Sequence, residues 1–257
     1  MPTVEGRPLL FKELIVGAER FILSRRKETG GFGSTPRLPA TVEDTYFALA
    51  GLKTCGGLRS DVRTLNFLLE QDFRRMSPEV KVKWLKSLLW LGGSPPGDFK
   101  SQIKKCLKRP PQRLSALAAL AEIERLLGAE PGELLSLRIY VRRLTFRTLR
   151  DLYYLFKILE EDTFSAEVCN TIIGSQNPDG GFGFFQGTTS YLENTYFACR
   201  LMKALGLRPR DPEGLKFFVL NTHRKDGGFA RAPGGVSFLE TTYYGLWILL
   251  RFPTLLS

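Results

Sequence analysis

Apolar residues along the chain recur at spacings of three and four. Phe11, Leu14, Ile15, Ala18, Phe21 and Ile22 form one such stripe near the start. Val168, Ile172 and Ile173 form another, and Leu215, Phe218, Val219 and Leu220 a third. This is the spacing of a helix with one buried face. A glycine pair follows each stripe, and a second apolar stripe follows the pair: Tyr46, Leu49, Ala50 and Leu52 in the first case, Tyr196, Phe197, Leu201 and Leu205 in the second. The pattern predicts a repeated unit of helix, glycine-rich turn and helix, about 45 residues long.

The turns match in detail. Gly30-Gly31-Phe32 leads to Glu43-Asp44-Thr45-Tyr46, Gly180-Gly181-Phe182 to Glu193-Asn194-Thr195-Tyr196, and Gly227-Gly228-Phe229 to Glu240-Thr241-Thr242-Tyr243. The Phe precedes the Glu by 11 positions and the last Thr by 13 in every copy. Between the first and second copies the helical pattern continues without the motif. Asp61 to Phe73, Ser77 to Leu91, Asp98 to Leu107, Gln112 to Leu127, Pro131 to Leu144 and Thr145 to Glu161 read as helices. Breakers such as Ser94-Pro95-Pro96-Gly97 and Pro110-Pro111 separate them. The expectation is an all-α single domain over residues 1–257, with twelve helices in six hairpins and no strand. An open array of repeats carries atypical polar caps at its ends. Here the best-formed copies are the first, fifth and sixth, so a closed ring is expected, with the first and last hairpins adjacent and one helix of each lining the inside.

Composition sharpens this only a little. Hydrophobic residues make up 43% and aromatics 12% of the 257 residues, enough for a substantial core. The formal charge of +11 favours anionic partners without choosing among nucleic acid, anionic lipid and diphosphates. The basic run Lys100, Lys104, Lys105, Lys108 and Arg109 reads as a solvated face, and no recognised module supports nucleic-acid binding. Cys55, Cys106, Cys169 and Cys199 form no close pair, which points to a reducing compartment rather than a disulfide framework or a zinc ribbon. No apolar run approaches the roughly 20 residues of a membrane span. The N-terminus lacks the order of a signal peptide, so a cytoplasmic, non-transmembrane protein is the expectation.

The turn and the segment after it carry a resemblance. Asp179-Gly180-Gly181-Phe182 followed by Ser190-Tyr191-Leu192-Glu193-Asn194-Thr195-Tyr196, and the matching Ser237-Phe238-Leu239-Glu240-Thr241-Thr242-Tyr243, resemble the repeat of the protein prenyltransferase β subunits and the squalene and terpene cyclases. That resemblance implies an α/α toroid of six hairpins. It also implies a central apolar cavity lined with aromatics that holds an isoprenoid diphosphate, and a protein partner, either an α-subunit-like chain or a second copy. In the prenyltransferases zinc is held by an Asp-x-Cys pair and a later His. The matching positions here are Glu193, Thr195 and Thr241, whose hydroxyls are not the usual zinc ligands. The one histidine, His223, stands before its turn. The expectation is therefore no metal and no cofactor. Class II cyclases protonate with D-x-D-D-T; the nearest match is Thr41-Val42-Glu43-Asp44-Thr45, without the first acid.

The glycine pairs could form anion-binding nests, but three equivalent copies argue for a structural turn. By the same logic Glu43, Glu193 and Glu240 complement the free N–H groups of helix first turns. With Asp44, they are also the candidate catalytic acids. Tyr46, Tyr196 and Tyr243 begin inner helices and are candidates for lining a pocket. Arg37, Arg231 and His223 are candidates for holding a diphosphate at its mouth. The function expected is isoprenoid binding or transfer without zinc. The alternatives are a non-catalytic scaffold on the same barrel and a cyclase-like enzyme using Glu43 and Asp44.

Overall fold

The computed structural model describes residues 6–128, 141, 147–159 and 164–252. Local chemistry sets the helix boundaries. α1 (Gly6–Leu23) enters the first glycine turn and α2 (Val42–Cys55) leaves it. Thr41 caps α2, its hydroxyl accepting from the Asp44 N–H at 3.0 Å. α3 (Val62–Leu69) is capped by Asp61 and stops short of the expected Phe73. Phe73–Arg75 forms a separate 3₁₀ turn instead, because the Asp72 carboxylate accepts from the Arg74 N–H and competes with helix continuation. α4 (Pro78–Trp90) starts with a Ser77 cap and a proline in the first turn, where its missing N–H does no harm. The remaining helices are α5 (Phe99–Lys108), α6 (Leu114–Leu126), α7 (Leu149–Leu159), α8 (Ala166–Gly174), α9 (Leu192–Ala204), α10 (Pro212–Asn221) and α11 (Leu239–Arg251). The expected helix from Pro131 to Leu144 lies, apart from the buried Val141, outside the described residues.

A short strand pair also departs from expectation. Phe229–Ala230 (β1) and Ser237–Phe238 (β2) pair antiparallel, with Phe229 opposite Phe238 and Ala230 opposite Ser237. Two residues are too few for an alternating pattern to show in the sequence.

The helices form two layers. α2, α4, α6, α7, α9 and α11 pack side by side in that order, and α11 returns to pack on α2. α1, α3, α5, α8 and α10 each pack outside the inner helix that follows. The result is the closed toroid expected from the repeats. Its core lies between the layers. Ala18 and Ile22 of α1 meet Leu246 and Leu249 of α11 on one side. On the other, Leu68, Trp84, Leu88, Phe99, Ile103 and Leu120 join α3 to α6. The Trp84 indole donates to the Leu68 carbonyl at 2.8 Å, so this buried ring leaves no orphan N–H.

The repeated motif holds each hairpin together and docks it on the next. The Thr hydroxyl at the start of the inner helix accepts the N–H of the turn's Phe at 3.0 Å in all three copies: Phe32 to Thr45, Phe182 to Thr195 and Phe229 to Thr242. Asp179 accepts from Ser190 Oγ and Gly181 N–H, and Asp226 does the same with Ser237 and Gly228. The first copy has Thr29 and Ala40 at these places, so the bonding pair is absent as a pair. The first glycine of each turn touches the backbone of the next outer helix. A Cβ on Gly30 would lie 2.3 Å from Arg63 O, on Gly180 2.0 Å from Gly214 O, and on Gly227 2.3 Å from Gly17 O. Because Gly17 belongs to α1, the last of these contacts closes the ring.

Candidate functional site

All six inner helices run in the same direction, each leaving a turn at one end of the toroid. Their lumen-facing residues form stripes: Glu193, Tyr196, Arg200 and Lys203 on α9; Glu240, Tyr243, Trp247 and Arg251 on α11; Glu79, Lys83, Lys86 and Trp90 on α4. Residues three, four and seven apart share a helix face. Charge along these stripes is segregated: Glu79, Glu193 and Glu240 lie in first turns and the cations lie further along, of which only Lys203 and Arg251 are in last turns, where they complement the helix dipoles.

An aromatic layer divides the lumen. Tyr46, Tyr153, Tyr196 and Tyr243 line the spaces on both sides of it. Tyr196 stacks on Tyr244 with centroids 4.3 Å apart, and its hydroxyl lies 2.9 Å from that of Tyr243. Arg200 donates to Tyr196 Oη at 2.8 Å. Burial pushes the Tyr196 phenol up to about 12, so it stays protonated at neutral pH. The single apolar cavity implied by the resemblance is therefore replaced by two chambers with a partition of rings between them.

The first chamber, at the N-terminal ends, has a volume of about 280 Å³. Phe47, Tyr154, Phe197 and Tyr244 add to the partition's rings, and Glu79, Lys83, Arg150, Glu193 and Glu240 stand around them. Most of this charge is paired. Lys83 meets Glu43, and Glu193 lies 3.6 Å from Arg150 and 3.7 Å from Arg231. Glu240 has no cationic partner within bonding distance among the described residues and accepts from Tyr244 Oη at 2.8 Å. Glu240 is exposed at its surface, yet the surrounding helices screen it from most of the bulk solvent. That desolvation, with Glu193 and Glu43 nearby, raises its pKa.

The second chamber, at the C-terminal ends, has a volume of about 310 Å³, and a further space of about 410 Å³ adjoins it along Tyr153, Lys157, Arg200, Lys203 and Trp247. Among the described residues Lys53, Lys86, Lys157, Arg200, Lys203 and Arg251 line the second chamber, with Glu122 as the one carboxylate and Trp90 and Trp247 as flanking rings. Glu122 pairs with both Lys86 and Lys157. Burial alone would raise its carboxyl, but the two ammonium groups outweigh that and hold it at about 2. Burial also lowers Lys86, with Glu122 opposing the shift.

Of the residues singled out in the sequence, Tyr46, Tyr196, Tyr243, Glu193 and Glu240 come together around the first chamber, and Arg231 reaches its rim through Glu193. Arg231 also stacks on Tyr191, centroid distance 4.2 Å. Four do not line it. Glu43 is exposed and bound to Lys83. Asp44 accepts from Thr41 Oγ1 at 2.9 Å and Ser34 N–H at 3.1 Å, tying the loop to the helix start; burial raises its carboxyl. Arg37 is exposed on its loop. His223 packs edge-on to Phe229 in a cleft between α1 and the last turn, on the outside of the ring. Burial depresses its pKa.

The positions that match zinc ligands do not suit a metal. Thr195 Oγ1 donates to Tyr191 O at 2.9 Å and accepts from Phe182 N–H. Thr241 Oγ1 is bonded to the Phe229 carbonyl at 2.5 Å. Glu193 is held by two arginines. Among the described residues no group of three or more His, Cys, Asp or Glu side chains is arranged to hold a metal ion. Sequence reasoning missed Lys83, Arg150, Tyr153, Lys86, Glu122, Lys157, Arg200 and Trp247. For Arg200 and Trp247 a signal existed: each lies four positions after a repeat tyrosine, on the same helix face.

The class of protein is thus a closed α/α toroid with a lumen divided by aromatic rings. Comparison with known families makes this narrower. Residues 12–103 and 120–252 match the model of the prenyltransferase alpha-alpha toroid domain, and the chain belongs to that family. Among solved structures it is similar to a chain of Candida albicans protein geranylgeranyltransferase-I complexed with GGPP. The two share 14% identity and a TM-score of 0.65, over 93% of this chain and 92% of that one, a likeness of fold. No curated protein matches the sequence. No described helix is long and apolar enough to cross a membrane.

Proposed function

We propose that the protein binds a prenyl diphosphate in the first chamber, without zinc. One observation carries the reading: eight aromatic rings surround a cavity of about 280 Å³ that has Lys83, Arg150 and Glu193-bound Arg231 near its mouth. Ring faces suit an alkene chain, and Lys and Arg suit a diphosphate head. Family membership and the GGPP complex of the similar Candida albicans structure support the ligand class. The partition forms the chamber's floor, so the prenyl group held here is short or folded. The hydroxyls at Thr195 and Thr241 supply no metal-bound thiolate chemistry. Native mass spectrometry with farnesyl and geranylgeranyl diphosphate tests the reading, with farnesol and pyrophosphate as controls. One-to-one complexes with both head and tail required are expected. Absence of any complex at high ligand concentration sinks it.

A second reading, a scaffold for a partner chain, draws on a different observation. Leu38, Phe185, Val236 and Phe238 are 52%, 53%, 73% and 42% exposed on the loops of the first, fifth and sixth hairpins. These loops lie at one end of the toroid. Unchanged monomeric sedimentation, together with no partner captured through that end, counts against it.

A further inference from the structure

Four of the six cations described in the second chamber have an ordinary explanation. Lys53, Lys157, Lys203 and Arg251 sit in the last turns of α2, α7, α9 and α11, where they complement unpaired helix carbonyls. Lys86 and Arg200 have no such reason to be there. Each stands four residues inside its helix end, at Trp90 and Ala204, and its side chain is turned to the chamber. Removing a cation from bulk water costs several kcal/mol unless something compensates. The protein gives Arg200 one phenol oxygen and the ring faces of Tyr153, Tyr196 and Trp247. It gives Lys86 a carboxylate that Lys157 shares. Among the described residues, one acid thus faces six bases around a space of about 310 Å³.

We infer that this chamber is a binding site for a polyphosphate group, a diphosphate or triphosphate chain, separate from the prenyl site proposed above and independent of it. Converging cations favour a compact ligand with several negative charges over a single carboxylate. A space of about 310 Å³ holds a short phosphate chain and not a nucleic-acid duplex. Glu122 acts as a positioning residue. It spans Lys86 and Lys157 and sets both ammonium groups on the chamber wall while leaving their other N–H donors available. Lys53 over Trp90 and Lys203 over Trp247 sit near the opening, 5.6 Å from the ring centres. They can meet an entering anion first.

Titration calorimetry with tripolyphosphate, pyrophosphate and ATP, all at one fixed ionic strength, tests this. A single saturable site is expected. Lys53→Glu and Lys203→Glu change exposed side chains, so both variants should fold, as circular dichroism can verify. Each should weaken binding about tenfold or more, a loss of about 1.4 kcal/mol. Lys100→Glu, on the exposed face of the outer helix α5, should leave affinity unchanged. Equal binding of tripolyphosphate and ATP assigns the site to the phosphate chain itself. Binding of ATP alone assigns it to a nucleotide held through the flanking tryptophans. No saturable binding of any of the three, or affinity untouched by both charge reversals, overturns the inference.

Discussion

Gly227 rests directly on the backbone of Gly17, with space for no side chain between them: a Cβ on Gly227 would come within 2.3 Å of the Gly17 carbonyl oxygen. The two residues are at opposite ends of the chain, and their contact is where the sixth hairpin meets the first. Gly227 also has φ of 88°, a conformation that strains an L side chain. Gly227→Ala should therefore pry open the ring seam. Gly234→Ala is the control, because Gly234 has φ of 83° but nothing within 4 Å. Urea unfolding should show a loss of about 1–2 kcal/mol for the control and a clearly larger loss for Gly227→Ala. Equal losses would mean that the seam contact contributes nothing.

Thr195 lies fully buried between the Phe182 N–H and the Tyr191 carbonyl. Thr195→Val keeps the shape and removes the hydroxyl, leaving a buried N–H without its acceptor. Such an orphan costs about 1–3 kcal/mol. The same loss is expected for Thr45→Val and Thr242→Val, since the bond is 3.0 Å long in each copy. Chemical denaturation measures all three. A neutral Thr195→Val would show that the hydroxyl is held for a ligand and not for the fold.

Glu122 links stability to acid. Its carboxyl is held at about 2 against an ordinary 4.5. A depressed carboxyl stabilises the fold fully above the unfolded value and loses that contribution as pH falls through the folded one. Between pH 4.5 and 2, wild-type protein should lose about 3 kcal/mol that Glu122→Gln does not lose. At pH 7 the variant should be less stable by a similar amount. Parallel pH profiles for the two proteins would refute the assignment.

The partition between the chambers should set the length of any prenyl group bound. Tyr243→Phe removes only the hydroxyl contact with Tyr196 and should cost about 1 kcal/mol. Tyr243→Ala removes the ring and joins the chambers, at about 3–5 kcal/mol. The predicted signature is a shift of preference from farnesyl toward geranylgeranyl diphosphate in the alanine variant alone, read by competition in native mass spectrometry.

Much of the architecture is determined by the sequence itself. The three motif copies specify the hairpin, since Phe, Thr and Tyr recur at fixed offsets and the offset of 13 is a hydrogen bond in each. Their placement at both ends of the chain also announced closure. A one-dimensional repeat carries this information because each hairpin's bonds are local. The lumen was only half legible. Tyr46, Tyr196 and Tyr243 were found because they repeat, but Lys86, Glu122 and Lys157 belong to three hairpins without the motif and meet only when the ring closes. Arg37 and His223 looked equivalent to Arg231 in sequence, yet the curvature of the ring turns one toward open solvent and the other to the outer face. Which cations share a chamber, and which acids neutralise them, is decided by the order and direction of helices around the ring. That is a long-range geometry, and no spacing along the chain records it.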